Sequence, residues 1–204
     1  PLRVEAVVNQ LEQALQVPPD QRDAILASTL KRFERRGLLP LGAQAERMGQ
    51  TLLDPAQKLL ENWDQACRLW PKSEDIHEVH LSLPVGDLCL QLEDWLDDLY
   101  RAPGGELVRL ERRPSQLYRG KKGNRALLKH HYFPGLWVRH LAANAMGLEL
   151  ASVMVVTDGL HRLAPVPRAQ AQEHLVAIAK AWHEGLQTCL PLALKTAMAW
   201  LSEP

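Results

Sequence analysis

The hydrophobic positions of this chain change period twice. Val4, Val7, Val8, Leu11 and Leu15 recur at helical spacing until Val17-Pro18-Pro19 breaks the run. Asp20 is placed to cap a second helix, in which Ile25, Leu26, Leu30 and Phe33 are the apolar positions; it continues to Arg36 and stops at Gly37. Beyond the connector Leu38-Leu39-Pro40-Leu41-Gly42 a third helical pattern runs to Trp70, interruptible at Asp54-Pro55 and closed by Pro71. Its apolar stripe is Leu52, Leu59, Leu60, Trp63 and Leu69.

The spacing then shortens to that of strands. Ile76, Val79, Leu81 and Leu83 predict an extended segment, and Leu88, Leu90, Leu92 and Leu96 alternate with polar residues as in a half-buried strand. Pro103-Gly104-Gly105 predicts a turn, and Leu107-Val108-Arg109-Leu110 a third strand ended by Pro114. These three segments read as an antiparallel meander. Residues from Tyr118 to His131 are polar and basic and read as a loop or excursion.

From Pro134 the helical period returns, with Leu136, Trp137, His140, Leu141 and Ala145 on one side and Gly147 as C-cap. The continuous apolar run Leu150 to Val156 fits a strand buried on both faces. Thr157-Asp158-Gly159 turns it into a short partner, Leu160 to Leu163. Residues 168–187 predict a helix with Leu175, Ile178, Ala179 and Trp182 inward, and Pro191 opens a last helix to Leu201. The order of elements predicts an α/β (or α+β) fold, a mixed sheet with flanking helices. The expected division is an N-terminal helical region over residues 1–70 and an α/β core over 71–204.

Composition narrows the class. Of 204 residues 46% are hydrophobic and 24% charged, which excludes a disordered chain. No apolar run approaches the ~20 residues of a membrane span, so no membrane partner is expected. Cys67, Cys89 and Cys189 are scattered and include no Cys-x-x-Cys pair, as for small buried hydrophobes in a reducing cytoplasm. The chain opens at Pro1 with neither methionine nor leader and reads as a piece of a longer protein.

Net charge is zero, 24 Lys and Arg against 24 Asp and Glu, which excludes a uniformly basic nucleic-acid binder. The distribution is uneven, however. Arg109, Arg112, Arg113, Arg119, Lys121, Lys122, Arg125 and Lys129 face the single acid Glu111, with Tyr118, His130, His131, Tyr132 and Phe133 nearby. Such a segment can hold phosphates by charge and bases by stacking, or be a solvated loop. The expected DNA-binding residues are Arg112, Arg113, Arg119, Lys121, Lys122, Arg125 and Lys129.

A second cluster is acidic. Glu93, Asp94, Asp97 and Asp98 crowd one strand end, and Glu111 sits on the next strand. An Asp at a strand end with Asp/Glu-x-Lys on the hairpin partner is the arrangement of metal-ion nucleases. There two carboxylates hold a divalent cation and the lysine activates water. Here the trio is Asp97, Glu111 and Arg113, and a guanidinium at the third place stays charged and cannot accept a proton. The trio therefore reads as a degenerate remnant, with no metal and no cofactor expected. The histidines add no ligand set: His77 and His80 point to opposite strand faces, and His174 and His183 lie too far apart around a helix. Phosphate-loop, dinucleotide and serine-hydrolase motifs are absent.

Three stretches together resemble one family. Leu30-Lys-Arg-Phe-Glu-Arg-Arg-Gly-Leu-Leu-Pro-Leu-Gly42 is similar to the arginine-rich helix and Leu-Pro-x-Gly connector of RecC, the gamma chain of exodeoxyribonuclease V. Leu136-Trp-Val-Arg-His-Leu141 resembles its Leu-Trp-x-x-His-Leu helix, and Pro191-Leu-Ala-Leu-Lys-Thr-Ala-Met-Ala-Trp200, after Trp182-His-Glu-Gly185, its C-terminal segment. The resemblance implies a RecC C-terminal domain with a PD-(D/E)XK nuclease-like fold that has lost catalysis and serves as scaffold. It implies a place where duplex DNA meets the RecBCD complex, beside a strand-separating pin, for which the Tyr118–His131 excursion is the candidate. The partners it implies are forked or duplex-end DNA and the RecB-like and RecD-like subunits of a heterotrimer. Active relatives of the fold carry a histidine after the Leu-Pro-x-Gly connector and a glutamine near the place of Gly135; neither is here. Two other readings stay open: an active magnesium-dependent nuclease using Asp97 and Glu111, and a module that binds only protein.

Overall fold

The computed structural model describes residues 17–37, 42–119, 127–188 and 196–198. They fall into two compact units: residues up to Gln65 with Arg112–Gln116 and Val155–Gly159, and the remainder. The helix expected over residues 4–15 and most of the last helix lie outside the described residues.

In the first unit, α1 spans Pro19–Arg35, and α2 (Ala43–Leu69) belongs to it up to Gln65. Pro19 opens α1, its fixed φ suited to the first helical position, so Asp20 lies inside the first turn instead of capping it. Gly37, at φ 66°, follows the end of α1 as expected. Gly49 of α2 is buried, and a Cβ there would meet Leu30 Cδ1 at 3.1 Å, so the glycine permits close helix approach. Arg22 ties the helices by donating to Asp64 Oδ2 at 2.7 Å. Pro55 does not interrupt α2, because Ala56, Leu59, Leu60, Trp63 and Ala66 form a buried seam through that segment. Leu69, expected in the stripe, is exposed. Asn62 Nδ2 of α2 donates to the Val156 carbonyl at 2.7 Å.

The second unit holds nearly all the strands. β1 (Lys72–Ser73), β2 (His77–Val85), β3 (Leu88–Leu96), β4 (Leu99–Arg101) and β5 (Leu107–Arg112) precede β6 (Tyr118–Arg119) and β7 (Leu127–Leu128). α3 (Pro134–Ala145), β8 (Ala151–Val156), β9 (Gly159–Leu163) and α4 (Arg168–Gln187) follow. The main sheet has five strands in the order β1-β4-β5-β8-β9, so the fold is α/β.

The expected meander is not formed. β2 and β3 make a separate hairpin in which Leu81 pairs Leu92, while β5 pairs antiparallel with β4, Leu99 opposite Arg109. The chain leaves the hairpin through Asp98, at φ 52° in a region aspartate tolerates better than most residues, and starts the short strand that pattern reading missed. A three-residue strand is too short to show a period. The Pro103–Gly105 turn does join two strands, but its first strand is β4.

In the hairpin, Val79, Leu83 and Val85 share one buried face, which joins Leu141, Ala142 and Ala145 of α3 and Ala171, Leu175 and Ala179 of α4 in one core. His77 and His80 lie on opposite faces. β8 is buried at every position, as its unbroken apolar run requires. α3 ends in a Schellman motif: Gly147 N–H bonds Asn144 O at 2.9 Å and Leu148 N–H bonds Ala143 O at 3.2 Å, with Gly147 at φ 88°. In α4 the expected phase is right, but the burial ends at Ala179. Trp182 and Leu186 continue the same face and are 57% and 65% exposed, with Ile178 at its margin, because the helix outruns the elements that cover it. Cys89 is exposed and Cys67 half-buried, unlike the buried cysteines expected.

Candidate functional site

Asp97 lies two residues before β4, and the β4–β5 register carried back from Leu99–Arg109 sets it opposite Glu111. The Leu110 N–H bonds the Asp98 carbonyl at 3.0 Å, which holds the two segments together at this point. Alternation along β5 puts Arg109 and Glu111 on one face. Arg109 is a buried residue, 5% exposed, and its guanidinium spans the acids. Nη2 donates to Asp97 Oδ1 at 2.9 Å and Nη1 to Glu111 Oε2 at 3.2 Å. The hydrogen bond from Arg109, with its positive charge, holds the Asp97 carboxyl below the usual carboxylate range despite some desolvation.

The structure thus brings Asp97 and Glu111 to one cation, and that cation is Arg109, a residue sequence reasoning placed only in the basic run. Its i, i+2 relation to Glu111 on a strand was the available signal. Arg113 falls in the other unit, half-buried, with its backbone N–H bonded to Val155 O at 2.9 Å. One oxygen of each acid is thus already bonded to a permanent positive charge. Gly135 is exposed in the first turn of α3 and offers no side chain.

The basic residues divide between the units. The Arg112 guanidinium carbon lies 4.7 Å from the Trp63 ring centroid, a cation–π contact within the first unit. Arg119 belongs to β6 and Lys129 follows β7, in a ribbon whose register is Tyr118 opposite Leu128 and Arg119 opposite Leu127. The expected loop is therefore a paired ribbon at its base; Lys121, Lys122 and Arg125 lie outside the described residues. Lys129 Nζ sits 5.6 Å from the Tyr132 ring centroid.

His140 is structural. It is fully buried, its Nδ1 is 2.9 Å from Ser152 Oγ, and it stacks on Trp137 with centroids 5.5 Å apart. Burial pushes its pKa down, opposed in part by the Ala164 backbone, so the ring is held neutral. The seclusion of His140 and Ser152 leaves no access for a substrate.

Set beside known proteins, the chain matches the model of the RecC C-terminal domain over residues 4–203. The chain belongs to the RecC C-terminal domain family. It is thereby related to the RecC subunit of RecBCD, exodeoxyribonuclease V, a complex of DNA repair and recombination in which RecC is generally non-catalytic. No curated protein matches this RecC domain. Among solved structures, the crystal structure of SSO0001 aligns over 88% of this chain and 85% of that one, at 14% identity and a TM-score of 0.33. Among the described residues of the RecC domain, no helix is long and apolar enough to cross a membrane.

Proposed function

We propose that this RecC domain is a nuclease-like scaffold without catalysis of its own, contacting DNA at the fork and the RecB-like and RecD-like subunits. The observation that carries the reading is the Arg109 guanidinium between Asp97 and Glu111. In a PD-(D/E)XK nuclease that place belongs to a divalent cation that positions water. A guanidinium neutralises the acids and braces β5 but can neither bind water as a metal does nor accept its proton.

DNA contact is assigned to Arg119, Lys121, Lys122, Arg125 and Lys129 of the basic segment, with Arg112 and Arg113 as further phosphate-binding residues. The support is charge concentrated in one short stretch of a neutral chain. Subunit contact is supported by Trp182 and Leu186, spaced i, i+4 and exposed on α4, which fit the groove-binding pattern of an apolar helix face.

Forked-DNA binding measured against salt tests the reading. Changing Lys121, Lys122 and Arg125 to glutamine reduces the slope of log K against log salt by about 0.9 for each duplex phosphate no longer neutralised. Unchanged affinity and slope refute the assignment. Cleavage of DNA in Mg²⁺ or Mn²⁺ that disappears in Asp97→Ala overturns the non-catalytic reading.

A further inference from the structure

We infer that the outer side of the β2–β3 hairpin is a docking surface for a protein segment that carries arginine, with Trp95 as its anchor and Glu78 and Glu93 as its counter-charges. The surface includes neither the basic segment nor the exposed end of α4.

The hairpin has two unlike sides. Val79, Leu83 and Leu96 are buried on the inner one, where they join the core shared with α3 and α4. Strand alternation turns the intervening residues the other way, and the register sets Glu78 opposite Trp95 and His80 opposite Glu93. Every residue of that outer side, from Glu78 to Pro84 on β2 and from Cys89 to Trp95 on β3, is exposed. A surface backed by the core needs little ordering when a partner arrives.

Trp95 stands out on this otherwise polar side. It is 60% exposed, whereas tryptophan is highly buried on average. Asp94 Oδ1 accepts the Trp95 N–H at 2.8 Å, which holds the backbone that carries the indole. Glu78 lies directly across, at the roughly 5 Å Cβ separation of cross-strand neighbours, and Glu93 lies two residues back on the same side. Glu78 Oε2 is 3.2 Å from His80 Nε2, and no lysine or arginine meets Glu78 or Glu93 among the described residues.

The surrounding charge selects the partner. From Ser73 to Tyr100 the sequence holds eight Asp and Glu and no Lys or Arg, in a chain whose net charge is zero. Such a field repels phosphates and attracts cations. A guanidinium suits both groups present: its plane lies on an indole while its N–H fork bonds a carboxylate, and it sheds water more readily than an ammonium. The exposed tryptophan supplies the central contact, as aromatic anchors do at protein interfaces.

NMR of the full chain titrated with a short peptide alternating arginine and serine, and with the same peptide carrying citrulline for arginine, tests the inference. Citrulline keeps the shape and removes the charge. The arginine peptide shifts the Trp95 indole N–H signal, one of six in the chain and identified by its loss in Trp95→Phe; the citrulline peptide leaves it in place. Trp95→Leu weakens binding of the arginine peptide about fivefold, and Glu78→Gln with Glu93→Gln does so by about the same factor. The remaining indole signals stay where they are in each variant, which shows that the fold is kept. An arginine peptide that leaves the Trp95 signal unmoved, a citrulline peptide that moves it equally, or variants that bind as wild type overturn the inference. A short DNA duplex that moves the Trp95 signal assigns this side to nucleic acid and overturns it as well.

Discussion

Arg109→Met separates the acid pair from its internal cation while keeping most of the apolar stem. The wild-type guanidinium makes two charge-assisted hydrogen bonds, to Asp97 at 2.9 Å and to Glu111 at 3.2 Å. Removing them has unequal effects. The Asp97 side chain is 61% exposed and rehydrates, so its share is that of a surface pair, about 0–1 kcal/mol. Glu111 is 17% exposed and loses a charge-assisted hydrogen bond that water replaces poorly, a cost of about 1.5–3 kcal/mol. Part is returned, because Arg109 Nε is buried without a hydrogen-bond partner among the described residues and methionine needs none. The expected net destabilisation is about 2 kcal/mol, read by urea denaturation at constant m-value. Adding Glu111→Gln removes the charge that Arg109 had neutralised and recovers about half of it. The Asp97 carboxyl, followed by NMR, moves up towards the ordinary aspartate range. Because its folded pKa is depressed, wild type holds this stabilisation above about pH 4 and loses it as pH falls through the depressed value; the variant lacks that step. A variant as stable as wild type, with Asp97 titrating unchanged, refutes the bridging role of Arg109.

Three further outcomes are expected. Met154→Ala, at a fully buried position of β8, costs about 2–5 kcal/mol by leaving a cavity, measured by chemical denaturation. Gly147→Ala meets no atom closer than Arg168 Cδ at 3.9 Å, so its cost is that of the positive φ, about 1–2 kcal/mol by the same measurement. His140 is held neutral when folded but takes up a proton when unfolded, so wild-type stability falls as pH drops below about 6.5. Thermal melts of His140→Gln across that range show a shallower slope; an unchanged slope assigns the effect to other groups.

Periodicity was a sound guide wherever an element is long enough to repeat itself. The helical phase of residues 19–35, 43–69, 134–145 and 168–187 follows from apolar spacing, and the Gly37 and Gly147 stops follow from the freedom of glycine at positive φ. The buried strand 151–156 was legible because a valine-rich run without alternation needs cover on both faces. Family membership was legible as well, through three short motifs whose order spans most of the chain.

Pairing was not legible, because period gives the face of a strand but not its neighbour. Nothing local shows that the hairpin 77–96 stands apart from the five-stranded sheet, or that residues 99–101 are the partner of β5. Residue order alone placed two acids at strand ends and a basic segment among aromatic neighbours. Which cation the acids meet was settled by folding: the turn at Asp98 and the β4–β5 register bring Asp97 across to Arg109 and Glu111. Folding likewise left Trp182 and Leu186, correctly phased for burial, in solvent. One cause underlies both. Spacing fixes the direction of a side chain relative to its own backbone, while burial and charge pairing depend on what another part of the chain brings opposite it.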